Sequence, residues 1–392
     1  MTARRRTFLA GVTLALAAGL TVPVGAAATD AGAAQVGAGH GAGGALDRAL
    51  ARLVGHADGP PGIVVVVQRG RRAVLHRAGT ANVATGAPIR PFDSMRLASV
   101  SKAFSGAVAL SLVADGKLSL GDTVGRVLPG LPRAWSKVTL RELLQHTSGV
   151  PDYTGTKAFI KALQKSLLKA PPPRALLSFA PKKLNFRPGS KYKYSNSDNI
   201  IVGLMVAAAT GKSYVRELRQ RVFGPLRLHH TSLPRGAALP APYIHGYDVA
   251  PPQPPTDVSH LFAAGWAWAS GGIVSTPRDA NTFIRAYVRG ATTSPSARRA
   301  QFTFRAGSSE PPGPGKNSAG LAIFRYQTRC GTVYGHTGNI PSGYTQFVAA
   351  SKNGKRSVVV SVNARITPGN HPARFRELRQ IDTLAVCAAL AR

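Results

Sequence analysis

Three serines in this chain stand three residues before a lysine: Ser99/Lys102, Ser166/Lys169 and Ser190/Lys193. In a helical turn, positions i and i+3 share a face, so an amine at that spacing can reach a hydroxyl. A serine hydroxyl is a poor nucleophile until a neighbour takes its proton, and a desolvated lysine can do so. Such a pair could attack a carbonyl. The spacing alone leaves three candidates open.

The elements around each pair separate them. Ile63 to Val67 is a continuous β-branched run suited to a strand buried on both faces, and Arg69-Gly70-Arg71 turns the chain into a second strand around Ala73 to Ala78. A third extended piece, Ser94 to Leu97, leads into Ser99, after which Phe104, Val108, Leu112 and Val113 follow helical spacing as far as Asp115-Gly116. Ser99 is thereby placed at a helix N-terminus, with backbone N–H groups directed at any developing negative charge. Ser166 lies in a Lys-rich helical stretch that reads as a solvated face, and Ser190 lies in a loop after Pro188-Gly189. Context favours Ser99.

Further on, Leu46, Leu50, Leu53 and Val54 mark a first amphipathic helix. Thr139 to Glu142 forms a capping box before His146-Thr147-Ser148-Gly149, and Ile200 to Ala209 reads as a buried helix. Residues 234–256 read as a long Pro-rich loop. Thr276-Pro277-Arg278-Asp279 opens another helix. Strand candidates follow at 320–326, 331–335, 343–350 and 356–362, and a last helix runs from about Phe375 to Leu390. The order predicts an α/β (α+β) fold: an antiparallel sheet built from N- and C-terminal segments and flanked by helices, with a mainly helical region inserted. The α/β part is assigned to about 45–98 and 265–392, the helical part to about 99–264, within one domain over 45–392.

Two more motifs lie downstream of Ser99: Tyr194-Ser195-Asn196, just before the buried helix, and His336-Thr337-Gly338, in the strand-rich end. With Ser99-x-x-Lys102 they make the chain resemble the serine beta-lactamase and penicillin-binding protein superfamily over roughly Leu46 to Cys387. The Tyr and His forms resemble the branch of class C beta-lactamases, actinomycete D,D-carboxypeptidases and related esterases, nearest the secreted Streptomyces D-alanyl-D-alanine carboxypeptidase type. His146-Thr147-Ser148-Gly149 and Gly265-Trp266-Ala267 recur in that branch.

The resemblance implies a beta-lactamase/transpeptidase-like fold and a site for acyl transfer without a cofactor or metal. It implies that Ser99 is acylated while Lys102 and Tyr194 share and return its proton, with cationic Lys102 helping Tyr194 towards a useful pKa. Asn196 would bind the substrate amide and orient Lys102. The N–H groups of Ser99 and Asn339 would receive the oxyanion. His336 and Thr337, followed by Gly338, would line the site and hold a substrate carboxylate, and Trp266 would wall it. Cys330 and Cys387, the only two cysteines, are expected to form a disulfide. His229-His230 lacks a metal-ligand pattern.

The resemblance also has gaps. Asn339 stands where carboxypeptidase members are expected to carry Thr, and Phe324, beside Arg325, where they carry Arg. Arg325 is expected on the opposite strand face from Phe324. The implied function is a secreted serine hydrolase resembling D-alanyl-D-alanine carboxypeptidases/transpeptidases, taking peptidoglycan stem peptides or beta-lactams. A beta-lactamase, esterase or D-amino-acid amidase of the same fold is the alternative, and a non-catalytic binder of anionic cell-wall polymer is the alternative from another class.

That last reading comes from charge. Fifty Lys and Arg against sixteen Asp and Glu give a net charge of +34, with 44% of residues apolar. An excess of that size points to anionic surroundings. No nucleic-acid-binding module is evident, so nucleic acid is not expected as a partner. Arg4-Arg5-Arg6, the apolar run Phe8 to Leu20 and Ala26-Ala27-Ala28 read as an export signal over 1–28, with Arg5-Arg6-Thr7-Phe8-Leu9 resembling a twin-arginine type. Thirteen apolar residues fall short of the ~20 that span a bilayer. Cleavage removes three arginines and no acid, leaving +31 on a secreted or wall-associated protein that opens with a flexible Gly/Ala leader over 29–44.

Overall fold

The computed structural model describes residues 42–308 and 311–391. The export segment over 1–28, and the leader up to residue 41, lie outside the described residues. Helix α1 (Ala42–Gly55) begins inside the stretch read as leader.

Strands β1 (Gly62–Arg69), β2 (Arg72–Gly79), β3 (Lys316–Ala319), β4 (Phe324–Thr328), β5 (Gly331–Ile340), β6 (Tyr344–Ala350) and β7 (Arg356–Val362) form one sheet in the order β2-β1-β7-β6-β5-β4-β3. Every neighbouring pair is antiparallel, so β1 from the N-terminal part pairs with β7 near the C-terminus. The β-branched run of β1 is covered on both sides. Ile63, Val65 and Val67 pack with Leu46, Leu50 and Leu53 of α1 and with Leu378, Ile381 and Val386 of α5 (Pro372–Leu390). Val64 and Val66 face the opposite layer, where the core continues without a break into the helical region.

That opposite layer is organised around α2 (Ser101–Ala114), whose first ten residues are all buried. It packs against α3 (Asn196–Thr210), and α4 (Pro277–Arg289) covers β6 and β7. A helix apolar on all sides needs no amphipathic stripe, because neighbours enclose it. Thr276 caps α4 by accepting from the Asp279 N–H, with Pro277 at the first position. The Thr139/Glu142 capping box is present, opening the short helix Leu140–Leu144.

The structure corrects several boundaries. The third extended piece shrinks to Met95–Arg96, which pairs with Val274–Ser275 outside the large sheet. Of the strand expected over 320–326, the first four residues are a turn, with Ala322 left-handed at φ 51°, between β3, which ends at Ala319, and β4, which starts at Phe324. Polar Lys316–Ala319 carried too little apolar alternation to read as a strand. The strand expected to stop at 335 runs on to Ile340, so His336-Thr337-Gly338 lies within it.

Cys330 and Cys387 are disulfide-bonded, joining the β4–β5 turn to α5 across 57 positions of sequence. Closing a loop of that length restricts the unfolded chain by about 2–4 kcal/mol. Cys330→Ala with Cys387→Ala is therefore expected to lower the unfolding free energy by that order in urea titration. Among the described residues, no helix is long and apolar enough to cross a membrane.

Candidate active site

Ser99 sits in a 3-10 turn, Ala98–Val100, and the α-helix itself starts at Ser101, two residues later than the sequence suggests. The cause is local. Ala98 is left-handed at φ 50°, an uncommon conformation for alanine, and it turns the chain from Met95–Arg96 into the helix so that Ser99 stays part-exposed. Lys102, one turn on, is fully buried. Its Nζ donates to Ser99 Oγ at 3.2 Å, to Asn196 Oδ1 at 2.7 Å and to the Ser270 carbonyl at 2.8 Å.

Burial pushes the Lys102 amine down from 10.5 to about 7, against the opposing pull of Asp152 and then Asp198. A lysine of that pKa is substantially neutral near pH 7 and can accept a proton. The other two pairs are not assembled in this way. Ser166 Oγ accepts from the backbone N–H of Lys169, and Ser190 Oγ donates to the Arg187 carbonyl; both lysines are exposed.

Tyr194 and Asn196 arrive together at the start of α3. The backbone N–H of Lys193 donates to the His146 carbonyl at 2.9 Å, and the His146 ring packs tilted against that of Tyr194, with ring centres 4.4 Å apart. Lys102 Nζ lies 4.8 Å from the Tyr194 ring centre. The Tyr194 hydroxyl is buried and makes no hydrogen bond among the described residues, although Ser99 is close enough to favour its ionised form. Burial outweighs that influence and raises the phenol well above its ordinary value. Burial thus holds the phenol above its ordinary value and the Lys102 amine below its own, so the lysine is the group poised to accept the Ser99 proton.

Two acids that the motifs did not flag complete the cluster. Asp152 Oδ2 accepts from the Asn196 side chain at 2.9 Å and from its backbone N–H at 3.1 Å, aiming Asn196 Oδ1 at Lys102. Asp198 contacts His146 Nδ1 at 2.8 Å and accepts from Ser148 Oγ at 2.6 Å. Burial drives His146 well below and Asp198 well above their ordinary ranges, both towards uncharged forms. His146, given no chemical role on sequence grounds, is the platform on which Tyr194 rests.

The third motif reaches the site by its backbone. Thr337, Gly338 and Asn339 line a cleft of about 350 Å³ together with Ser99, Tyr194 and Asn196. A Cβ on Gly338 would lie 2.9 Å from the Ser99 nitrogen, so glycine lets β5 pass against the serine turn. His336 is not among the lining residues. It is fully buried, with Nδ1 2.5 Å from the Thr337 carbonyl oxygen and its ring edge-on to Phe324, and burial lowers its pKa to about 3. Its ring lies 6.2 Å from that of Tyr194, buried beneath the cleft, so the neutral imidazole does not line the site as the resemblance implied.

Phe324 is buried too, while Arg325 turns to Ser318 Oγ and the Phe304 ring; neither lines the cleft. Arg365, after β7, does line it. The far end is apolar, made by Phe159, Leu163, Phe262 and Trp266, with the Trp266 Nε1–H tied to the Ser166 carbonyl at 3.2 Å. His229 and His230 are exposed, and no group of three metal-ligating side chains is gathered among the described residues.

A serine backed by a lysine at the head of a buried helix, facing a tyrosine and the inner strand of an antiparallel sheet, defines a serine hydrolase of the beta-lactamase/transpeptidase fold. The Beta-lactamase family model matches residues 46–383, and the chain belongs to that family. A D-stereospecific amidohydrolase from a Streptomyces species superposes with a TM-score of 0.73 at 31% identity, over 82% of this chain and 94% of that one. The D-amino acid amidase of Ochrobactrum anthropi SV3 shares the fold, with a TM-score of 0.75 at 22% identity over 88% and 98% of the two chains. Among curated relatives, the D-aminopeptidase of Brucella anthropi is 29% identical over 195 residues, 50% of this chain and 37% of that protein. A penicillin-binding protein of Bacillus subtilis (strain 168) is 28% identical over 194 residues, 47% and 41% of the two. The chain thus spans less than half the length of these curated relatives.

Proposed function

We propose that this protein is an exported hydrolase that cleaves amides or esters of D-amino acids through an acyl-enzyme on Ser99. Ser99 Oγ attacks the carbonyl carbon and its proton passes to Lys102, held 3.2 Å away. The N–H groups of Ser99 and Asn339 receive the oxyanion. As the C–N or C–O bond breaks, the protonated Tyr194 supplies the leaving group with a proton, and Lys102 restores it. Water then reverses the sequence to free the acid. Asn196, fixed by Asp152, holds Lys102 in line.

One observation carries the choice of substrate: the position expected to hold the carboxylate-binding arginine is a buried Phe324, backed by a neutral His336. That arrangement favours an acyl donor without a terminal carboxylate, and the apolar end of the cleft suits a bulky side chain. The similarity to the D-stereospecific amidohydrolase of the Streptomyces species agrees with this reading. A D,D-carboxypeptidase acting on peptidoglycan stem peptides is the second reading, favoured by Arg365 in the cleft wall.

The test compares hydrolysis of D-phenylalanine amide, L-phenylalanine amide and a D-Ala-D-Ala peptide, alongside labelling by a fluorescent penicillin. D-amide turnover that Ser99→Ala abolishes is the expected result. Cleavage of the D-Ala-D-Ala peptide alone, lost in Arg365→Met, would favour the carboxypeptidase; penicillin label surviving Ser99→Ala would remove Ser99 as nucleophile. Because Asp152 raises the Lys102 pKa, Asp152→Asn is expected to move the acidic limb of the pH–rate profile to lower pH.

A further inference from the structure

From Lys157 to Lys193 the chain has ten basic residues in 37 positions and no acidic one, against fifty basic residues in the full 392. All ten are exposed. None forms an ion pair with a described residue. The helix Lys157–Lys165 concentrates the feature: Phe159 and Leu163 face the cleft, while Lys157, Lys161 and Lys165 recur every four residues on the outer side. After it come Lys169, Arg174, Lys182, Lys183, Arg187, Lys191 and Lys193, the last leading into Tyr194.

Helix stability does not account for this row. Like charges at i,i+4 repel, and a lysine in the first turn opposes the helix dipole. Solubility would be served by cations interspersed with acids, and this stretch holds no acid. We infer that this face is a docking surface for a linear polyol-phosphate polymer, laid along the helix beside the cleft mouth.

The polymer chemistry follows from the spacing. Four residues of helix advance about 6 Å, so successive ammonium groups match an anion with a charge in every short repeat. A polysaccharide with one carboxylate per disaccharide is too sparse. Single-stranded nucleic acid has the charge density but gains much of its affinity by stacking bases on aromatic side chains. The outer side of this helix offers Ala158 and Gln164 between its lysines, and Phe159 is turned inward. A flexible phosphodiester chain without bases is what remains, and an export signal would bring the protein to such polymers at the cell surface. The inference is independent of which bond Ser99 cleaves.

The test uses the full chain and poly(glycerol phosphate) as probe, with hyaluronan and single-stranded DNA of matched charge number beside it. The triple variant Lys157→Glu/Lys161→Glu/Lys165→Glu is expected to bind poly(glycerol phosphate) at least tenfold more weakly, with a shallower dependence on salt concentration. Its hydrolysis of a small uncharged aryl ester is expected to stay within twofold of the parent, showing that the fold is intact. A control with the same change in net charge, Arg48→Glu/Arg52→Glu/Arg71→Glu, is expected to lose less than threefold. Equal losses in the two triples would overturn the surface in favour of net charge alone. Tighter binding of the DNA or of hyaluronan than of poly(glycerol phosphate) would overturn the assigned partner.

Discussion

Lys102→Met is expected to reduce hydrolysis by about a thousandfold or more and to change how stability depends on pH. The two effects share one cause. Lys102 is fully buried, and its amine is held at about 7 instead of 10.5. Between those values the unfolded chain binds a proton that the native protein does not, so native stability rises with pH across that window. Below pH 7 both states hold the proton and the cost of a buried cation is fully felt. Methionine keeps most of the side-chain volume but cannot titrate, so its stability should lack this slope. The difference between parent and variant should grow in the parent's favour by a few kcal/mol from pH 7 to pH 10.5. Thermal unfolding at intervals from pH 6 to pH 10 reads it directly. In the parent, kcat/KM should rise with pH through a midpoint near 7 as the neutral amine is populated. A midpoint above pH 9, or equal stability slopes in the two proteins, would mean that Lys102 is cationic in the working enzyme.

This dependence also shows which parts of the site were readable from sequence. The Ser99–Lys102 pair is local, three residues apart on one turn, so spacing together with helix context was enough to find it. What tunes the lysine is not local. The carbonyl of Ser270, the side chain of Asn196 and the carboxylate of Asp152 come from three other elements, and only Asn196 belongs to a motif. His146 stood in a recognised motif and Asp198 in none, and the buried contact that joins them crosses 52 positions of sequence, which a single sequence does not display. The sheet divides in the same way. β1 and β7 announce themselves by unbroken β-branched runs, whereas β3 is the short edge strand Lys-Asn-Ser-Ala, held by pairing to β4 and without an apolar pattern of its own. The turn that delays the helix to Ser101 rests on the backbone of Ala98, a residue type that gives no warning of a left-handed φ.

Gly338→Ala tests that turn and the strand facing it together, and its expected effect is a loss of about a hundredfold to a thousandfold in the rate of Ser99 acylation. The added Cβ would stand 2.7 Å from the Leu97 carbonyl oxygen, 2.9 Å from the Ser99 nitrogen and 3.1 Å from the Ala98 Cβ. Two of these neighbours are backbone atoms and cannot rotate aside. β5 has little freedom to retreat, since Gly338 is paired with Gln346 and Gln346 is itself anchored to the Arg96 carbonyl at 3.1 Å. The serine turn has little freedom either, because Lys102 is fixed by three hydrogen bonds one turn further on. The strain must therefore separate the Ser99 and Asn339 N–H groups, the pair proposed to hold the oxyanion. A methyl group there leaves the lysine in place, so the pH midpoint near 7 should survive while the plateau rate falls, the opposite division from Lys102→Met. Stopped-flow acylation by a chromogenic beta-lactam or D-amino-acid ester measures both quantities. An acylation rate within threefold of the parent would show that the oxyanion is received elsewhere in the cleft.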